Sequence, residues 1–421
     1  MRSLRIPSAF LRAPFLLLTL GAVFGLTACS SNRNPLLPNP LPTLSQLTLA
    51  LHTDTLAVGG DVTLVVTAKD TAGADVSPTR LSWSSDDPRV ATVGSTGNVH
   101  AAGEGVTTIR VAGANLSDSC MIVVYTQPGW YAQTSATVNN LNGVYADVGG
   151  RTVWAIGDAG TIIVSRDAGV TWATQVSSSS FKLNGIHFTS ATEGWVAGNS
   201  GTILHTIDGG ATWTRITNVG ASENLLAVRF ADAAHGWAVG TSGVVVSTRD
   251  GGASWTKQHP TASALNSVAF SDTTNGWAVG DNGVIAGTHD GGRSWYIWQP
   301  ALTSQALHGV VRASNTLAWA VGAQGVTAAT TATVDSLTWT LGNAGASYQL
   351  FGVAFPTVLV GYAVGQNGSG TVLKTIDGGT TWSAQTANSA QKLNAVWFVD
   401  TQRGWAVGDG GRIVHTSRGG L

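Results

Sequence analysis

Short apolar runs broken by clusters of Gly, Asp, Asn and Ser extend through the whole chain, at strand rather than helix spacing. In residues 275–295, NGWAVGDNGVIAGTHDGGRSW, an apolar run around Trp277 leads into the turn Asp281-Asn282-Gly283. A second run then meets the turn Asp290-Gly291-Gly292, which ends on Trp295. Two tight glycine turns between β-type runs predict consecutive hairpins. The phrase recurs: its central aromatic falls at Trp154, Trp195, Trp237, Trp277, Trp319, Tyr362 and Trp405, in steps of 41, 42, 40, 42, 43 and 43 residues. Seven copies of a period near 42, each with four strand-like segments, predict a seven-bladed β-propeller.

Each copy opens on a Leu: Leu141, Leu183, Leu225, Leu265, Leu307, Leu350 and Leu393. Two residues later stands a small residue in every copy (Gly143, Gly185, Ala227, Ser267, Gly309, Gly352, Ala395), which suits a strand crowded against an axis. The third and fourth segments join through an aspartate turn at Asp167, Asp208, Asp250, Asp290, Asp335 and Asp377, each running on to a Trp. The Asp335 copy lacks the glycines. Asp is expected to accept backbone N–H bonds within its turn, Gly to take positive φ, and Trp to pack between sheets. The seventh copy stops before its fourth strand, whereas residues 129–133 line up with residues 171–175. The N-terminal strand, 129–135, is therefore expected to complete the last blade and close residues 128–421 into a ring.

Ahead of the repeats, residues 44–125 carry five short alternating segments (47–51, 62–68, 81–84, 107–112 and 121–125) separated by Gly, Asp, Pro and Ser. This spacing predicts a small β-sandwich, so the fold class is all-β with two unlike modules. Earlier still, Arg2, Arg5 and Arg12 precede the apolar residues 13–26, too short to span a bilayer and suited to a cleaved signal. Residues 29–43 hold four prolines and read as an extended tether reaching about 40 Å.

Composition narrows the functions. Only 11% of residues are charged, while Gly numbers 53 and Trp 16. Without residues 1–28, 19 basic face 23 acidic side chains, which leaves no electrostatic footprint for nucleic acid. Thirteen of the 16 Trp recur at the two repeat positions, so their number does not imply a sugar platform. Glu is confined to Glu104, Glu193 and Glu223, and most propeller aspartates have turn positions. The nine His show no metal spacing, and His205, His289 and His415 are expected as partly exposed strand ends. No catalytic residue, metal site or cofactor is assigned. Cys120 is expected to be a small core residue.

The run Leu26-Thr27-Ala28-Cys29 resembles the lipobox of bacterial lipoproteins, which implies lipidation at Cys29 and a lipid-anchored location in the cell envelope, with Ser30 favouring the outer membrane. Residues 81–111, with WSS, VATV, a Gly-x-Val and a glycine turn into Thr-x-Ile, resemble the group 2 bacterial immunoglobulin-like domain, whose members serve as spacers or adhesive modules. The aspartate turns resemble the Asp-box of BNR repeats. The whole repeat from Trp130 onward is similar to the photosystem II assembly/stability factor family of seven-bladed propellers. That resemblance implies a non-enzymatic scaffold that binds a protein client. The alternatives are a cell-surface carbohydrate-binding or adhesive protein and, less favoured, a sialidase-like glycoside hydrolase. A monomer is expected. Function is expected where the repeats disagree, either on the variable loops after the fourth strands or at His187, Arg229 and Trp397, which share one position near the axis in three blades.

Overall fold

The computed structural model describes residues 44–421 apart from 79, 126–128, 299, 315, 332–337 and 421. Cys29 and Asp335 lie outside the described residues.

Seven four-stranded antiparallel sheets follow one another along the chain. The fourth is typical: Leu265–Phe270, Gly276–Gly280, Ile285–Thr288 and Tyr296–Ile297 pair in sequence order. The innermost strands are Leu141–Ala146, Leu183–Phe188, Leu225–Phe230, Leu265–Phe270, Leu307–Arg312, Gln349–Ala354 and Leu393–Phe398. Every second strand, from Val153–Gly157 to Gly404–Gly408, is buried at all of its core positions, as in Gly236–Gly240. A strand buried on both faces needs the continuous apolar GWAVG pattern rather than alternation. The small residues of the innermost strands have a direct cause. A Cβ on Gly185 would come within 2.9 Å of the Ala227 Cα in the next blade.

The seventh sheet consists of Leu393–Phe398, Gly404–Gly408, Ile413–Thr416 and, outermost, Tyr131–Gln133 from the other end of the repeat region. The preceding Trp130 is fully buried edge-on against Tyr362 and Phe398, at 6.3 and 5.7 Å between ring centres. Its indole N–H donates to Gln385 Oε1 at 2.8 Å. Asn394 Nδ2 donates to Leu141 O at 2.9 Å and Trp405 Nε1 to Ala168 O at 3.2 Å, so the last blade joins the first. A seven-bladed β-propeller results.

Residues 44–125 form an immunoglobulin-like β-sandwich of nine strands. Leu47, Leu49, Val99, Ile109, Val111 and Ile122 fill its core. Cys120 is buried there, and burial pushes its thiol up to about 11, which keeps it protonated and inert. The expected strand 62–68 divides into Asp61–Thr63 and Val66–Asp70, which pair with different partners. The chain changes sheets between them, with Leu64 N donating to Gly97 O and Val65 O accepting from Ala50 N.

This sandwich is packed onto the closing blade. Val106 and Val123 share a core cluster with Leu141, Trp405 and Ile413. Arg403 Nη1 reaches Met121 Sδ at 3.8 Å and donates to Gly149 O at 2.8 Å. Beneath the sandwich, Tyr131 Oη and His415 Nδ1 lie 2.5 Å apart, with Glu104 Oε1 at 4.0 Å from that nitrogen. His415 is therefore buried, not a partly exposed strand end. The indole of Trp405 stacks on it at 4.6 Å, and burial depresses its pKa to about 3, so it stays neutral.

Candidate functional site at the propeller axis

The aspartate turns are construction. Asp208 Oδ1 accepts from Thr206 Oγ1 and from Thr212 N, both at 2.8 Å, while Oδ2 accepts from Thr212 Oγ1 at 2.7 Å. Thr206 Oγ1 in turn accepts from Gly210 N at 2.8 Å. The same closed set recurs around Asp167, Asp250, Asp290 and Asp377. Donation by the Thr212 backbone N–H, then by the Thr212 and Thr206 hydroxyls, holds Asp208 down to about 2. Gly210 sits at φ +84°, and a Cβ there would strike Gln175. Four Trp of the second strands stack on a Phe of the next blade: Trp154 on Phe188 at 4.0 Å, Trp195 on Phe230 at 4.5 Å, Trp237 on Phe270 at 3.5 Å and Trp319 on Phe355 at 3.8 Å. Trp237 Nε1 also donates to Gly291 O at 3.0 Å. All of this chemistry is turned inward on the fold.

The seven innermost strands enclose an axial cavity of about 590 Å³. Its two mouths differ. At one, the second residue of the innermost strand ties four of the seven blades to the next. Asn142 Nδ2 donates to Leu183 O at 2.9 Å and Asp158 Oδ1 at 3.0 Å. Asn184, Asn266 and Asn394 repeat the arrangement with Asn199, Asp281 and Asp409. Lys182 and Lys392 line this mouth, but lie 3.4 and 3.6 Å from Asp158 and Asp409. Leu226, His308 and Phe351 replace the Asn in the other three blades. The variable loops after the fourth strands open here, because they lead directly into the starts of the innermost strands.

The opposite mouth lies at the ends of the same strands, on the side of the aspartate turns. Here the structure brings His187, Arg229 and Trp397 to one level, each paired across from the central Trp of its blade. Tyr145 occupies the same position in the first blade. Its ring lies 4.6 Å from Trp397 and 5.5 Å, edge-on, from His187. His187 is 7% exposed, and Phe230 N donates to its Nδ1 at 3.4 Å. Burial, then the charge of Arg229, pushes the imidazole well below its ordinary pKa. Burial likewise raises Tyr145 and lowers Arg229. The three residues proposed from the sequence are thus neighbours, but they face away from the variable loops.

Tyr145 was missed, although it stands in the same repeat column as the other three: Tyr145, His187, Arg229, Ala269, Val311, Ala354, Trp397. Arg312 was missed too. It takes the position where other blades carry Phe188, Phe230, Phe270, Phe355 and Phe398, and is 8% exposed. Its Nε donates to Ser314 O at 3.1 Å, while neither terminal nitrogen has a partner among the described residues. Burial lowers it to about 10. The deviation from the Phe column was the legible signal.

Comparison with known proteins bears on this geometry. A family model described as photosynthesis system II assembly factor YCF48 matches residues 130–220, 217–296 and 331–421. The bacterial Ig-like domain (group 2) matches residues 48–120. Among solved structures, YCF48 bound to D1 peptide is similar at TM-score 0.57 and 20% identity, over 69% of this chain and 96% of that one. YCF48 from Cyanidioschyzon merolae is similar at TM-score 0.57 and 21% identity, over 68% and 98%. Virginiamycin B lyase from Staphylococcus aureus reaches TM-score 0.59 at 12% identity, over 69% and 99%. At such identities these likenesses show the fold alone, and a lyase among them shows that this fold also hosts enzymes. The polysaccharide lyase 8 family protein HylA of Enterococcus faecalis is 36% identical over 67 residues, 15% of this chain and 5% of the relative's length.

Proposed function

Since the chain belongs to the photosynthesis system II assembly factor YCF48 family, we propose that it is a non-enzymatic scaffold whose propeller seats a protein client at the axial mouth formed by Tyr145, His187, Arg229 and Trp397. The observation that carries this reading is the contrast within one cavity: at this mouth no hydrogen bond among the described residues takes up the donors of Arg229 and Trp397, whereas the Asn and Lys side chains of the other are tied to the next blade or lie beside carboxylates. A family relative has been solved with a D1 peptide bound, which is in keeping with a peptide-sized occupant. None of the described residues lining the cavity is Asp or Glu, so neither a carboxylate pair nor a carboxylate base is offered to a substrate there. Cys29 is proposed as the lipid attachment point, holding a monomeric protein at the cell envelope, in the outer membrane.

Affinity capture of the tagged full-length protein from crosslinked cells tests the reading. The wild type is expected to retain a protein that the double variant Arg229→Gln/Trp397→Ala loses while it still unfolds cooperatively above the temperature of the assay. Recovery of no protein that depends on these two residues would defeat it. Release of Cys29→Ser from the membrane fraction tests the anchor. A carbohydrate-binding or adhesive role is the second reading, favoured by the immunoglobulin-like module; selective retention on a glycan array would establish it.

A further inference from the structure

Of the polar groups left uncommitted at the Asp-box mouth, only the Tyr145 hydroxyl can accept as well as donate; the rest are donors. A guanidinium has five N–H groups and no acceptor, and an indole nitrogen donates only. His187 already accepts at Nδ1, so the proton of its neutral ring sits on Nε2. Tyr145 adds a hydroxyl. Among the described residues no carboxylate or carbonyl hydrogen-bonds to Arg229, and the charge of Arg229 is left without a counter-ion in a largely desolvated place. Arg312, in the same cavity wall, has two terminal nitrogens without acceptors among the described residues. The neighbouring acids are engaged elsewhere. Asp147, which acts on Tyr145, accepts from Arg151 N at 2.9 Å, and Asp272, which acts on Arg312, accepts from Thr274 N and Asn275 N at 2.7 Å. At the other mouth, by contrast, Lys182 and Lys392 have Asp158 and Asp409.

Uncompensated buried donors around a cation are costly to keep unless something acceptor-rich completes them. We propose that the occupant of this mouth presents an oxyanion, a carboxylate or a phosphate, to Arg229, with His187 Nε2 and Trp397 Nε1 as flanking donors. A guanidinium with its planar fork suits such a group better than an ammonium does. The inference rests on the same mouth being the client's seat and names the chemistry that seat selects.

Two pools of N-acetylated, C-amidated hexapeptides, identical except that one position is Glu in one pool and Gln in the other, supply the probe, alongside inorganic phosphate and succinate. Binding to the full-length protein in detergent is followed by tryptophan fluorescence and calorimetry, at ionic strength matched with sodium chloride. The Glu pool is expected to bind at least tenfold more tightly than the Gln pool. Arg229→Gln should erase that difference, and Arg229→Lys should retain part of it, with neither melting temperature below that of the wild type. Phosphate or succinate binding that is lost in Arg229→Gln would also support the proposal and identify a free oxyanion as sufficient. Equal binding of the two pools, still weakened by Trp397→Ala, would overturn the oxyanion inference and leave the docking seat standing. No binding of any probe, together with client capture indifferent to both residues, would overturn both.

Discussion

The two mouths of the axial cavity are built by the same seven strands and differ in what their polar groups do. At the Asn mouth, Asn142, Asn184, Asn266 and Asn394 each spend their amide on the next blade's carbonyl and on a turn side chain. The lysines there sit beside carboxylates. At the Asp-box mouth, the rings of His187 and Trp397 pack against that of Tyr145, the charge of Arg229 acts on His187, and no hydrogen bond among the described residues takes up the donors of Arg229 and Trp397. The difference teaches that residue type does not mark a site. Asp, Trp and Asn are abundant throughout the propeller, and almost all of them are fastening it. What separates the site is repetition on one side and its failure on the other.

Breaking the fastening should cost stability first. Trp130→Ala removes the side chain wedged where the ring closes, against Tyr362, Phe398 and Gln385, and should lower stability by about 3–5 kcal/mol in chemical denaturation. Asp290→Ala deprives Ser294 N, Ser294 Oγ and Thr288 Oγ1 of their acceptor, for about 1–3 kcal/mol, with client binding retained in the fraction that stays folded. Asn394→Ala cuts one tie between the last and first blades and should cost about 1 kcal/mol. At the other mouth, Trp397→Ala loses packing on Tyr145 and is expected to lower the melting temperature by less than Trp130→Ala does, and to reduce client binding.

Acid gives the smallest and most specific test. Burial works against ionising Asp290, but donation by Ser294 and Thr288 outweighs it and holds the carboxyl to about 2, below its ordinary 3.8. A carboxyl depressed in the folded state contributes stability that is present above the unfolded pKa and lost as pH falls through the folded one. The stability difference between wild type and Asp290→Asn should therefore hold above pH 4 and shrink between pH 4 and 2. A difference unchanged over that window would mean that the turn does not depend on the ionised carboxylate.

Much of this architecture could be read before any coordinates, because a 42-residue repetition averages out local ambiguity. The closing strand was visible because Trp130 matches Trp172, and the crowding of the axis because seven successive positions are small. The sandwich was less legible. Its strands are not repeated, so nothing in residues 62–68 shows that the chain changes sheets there. Its docking onto the closing blade was hidden for a similar reason, since Val106, Val123 and Met121 are ordinary strand residues until His415 and Trp405 come beneath them. His187, Arg229 and Trp397 were found by column. Tyr145 and Arg312 were overlooked, one because its neighbours in sequence are apolar, the other because a buried arginine in an aromatic column looks like a surface residue until its surroundings are known.

Placing the photo-crosslinker p-benzoylphenylalanine at position 397 or at position 351 puts one aromatic reporter at each mouth of the same cavity in intact cells. A protein adduct from 397 and none from 351 is the expected result. Adducts from 351 alone, or equally from both, would contradict the assignment of the client to the Asp-box mouth.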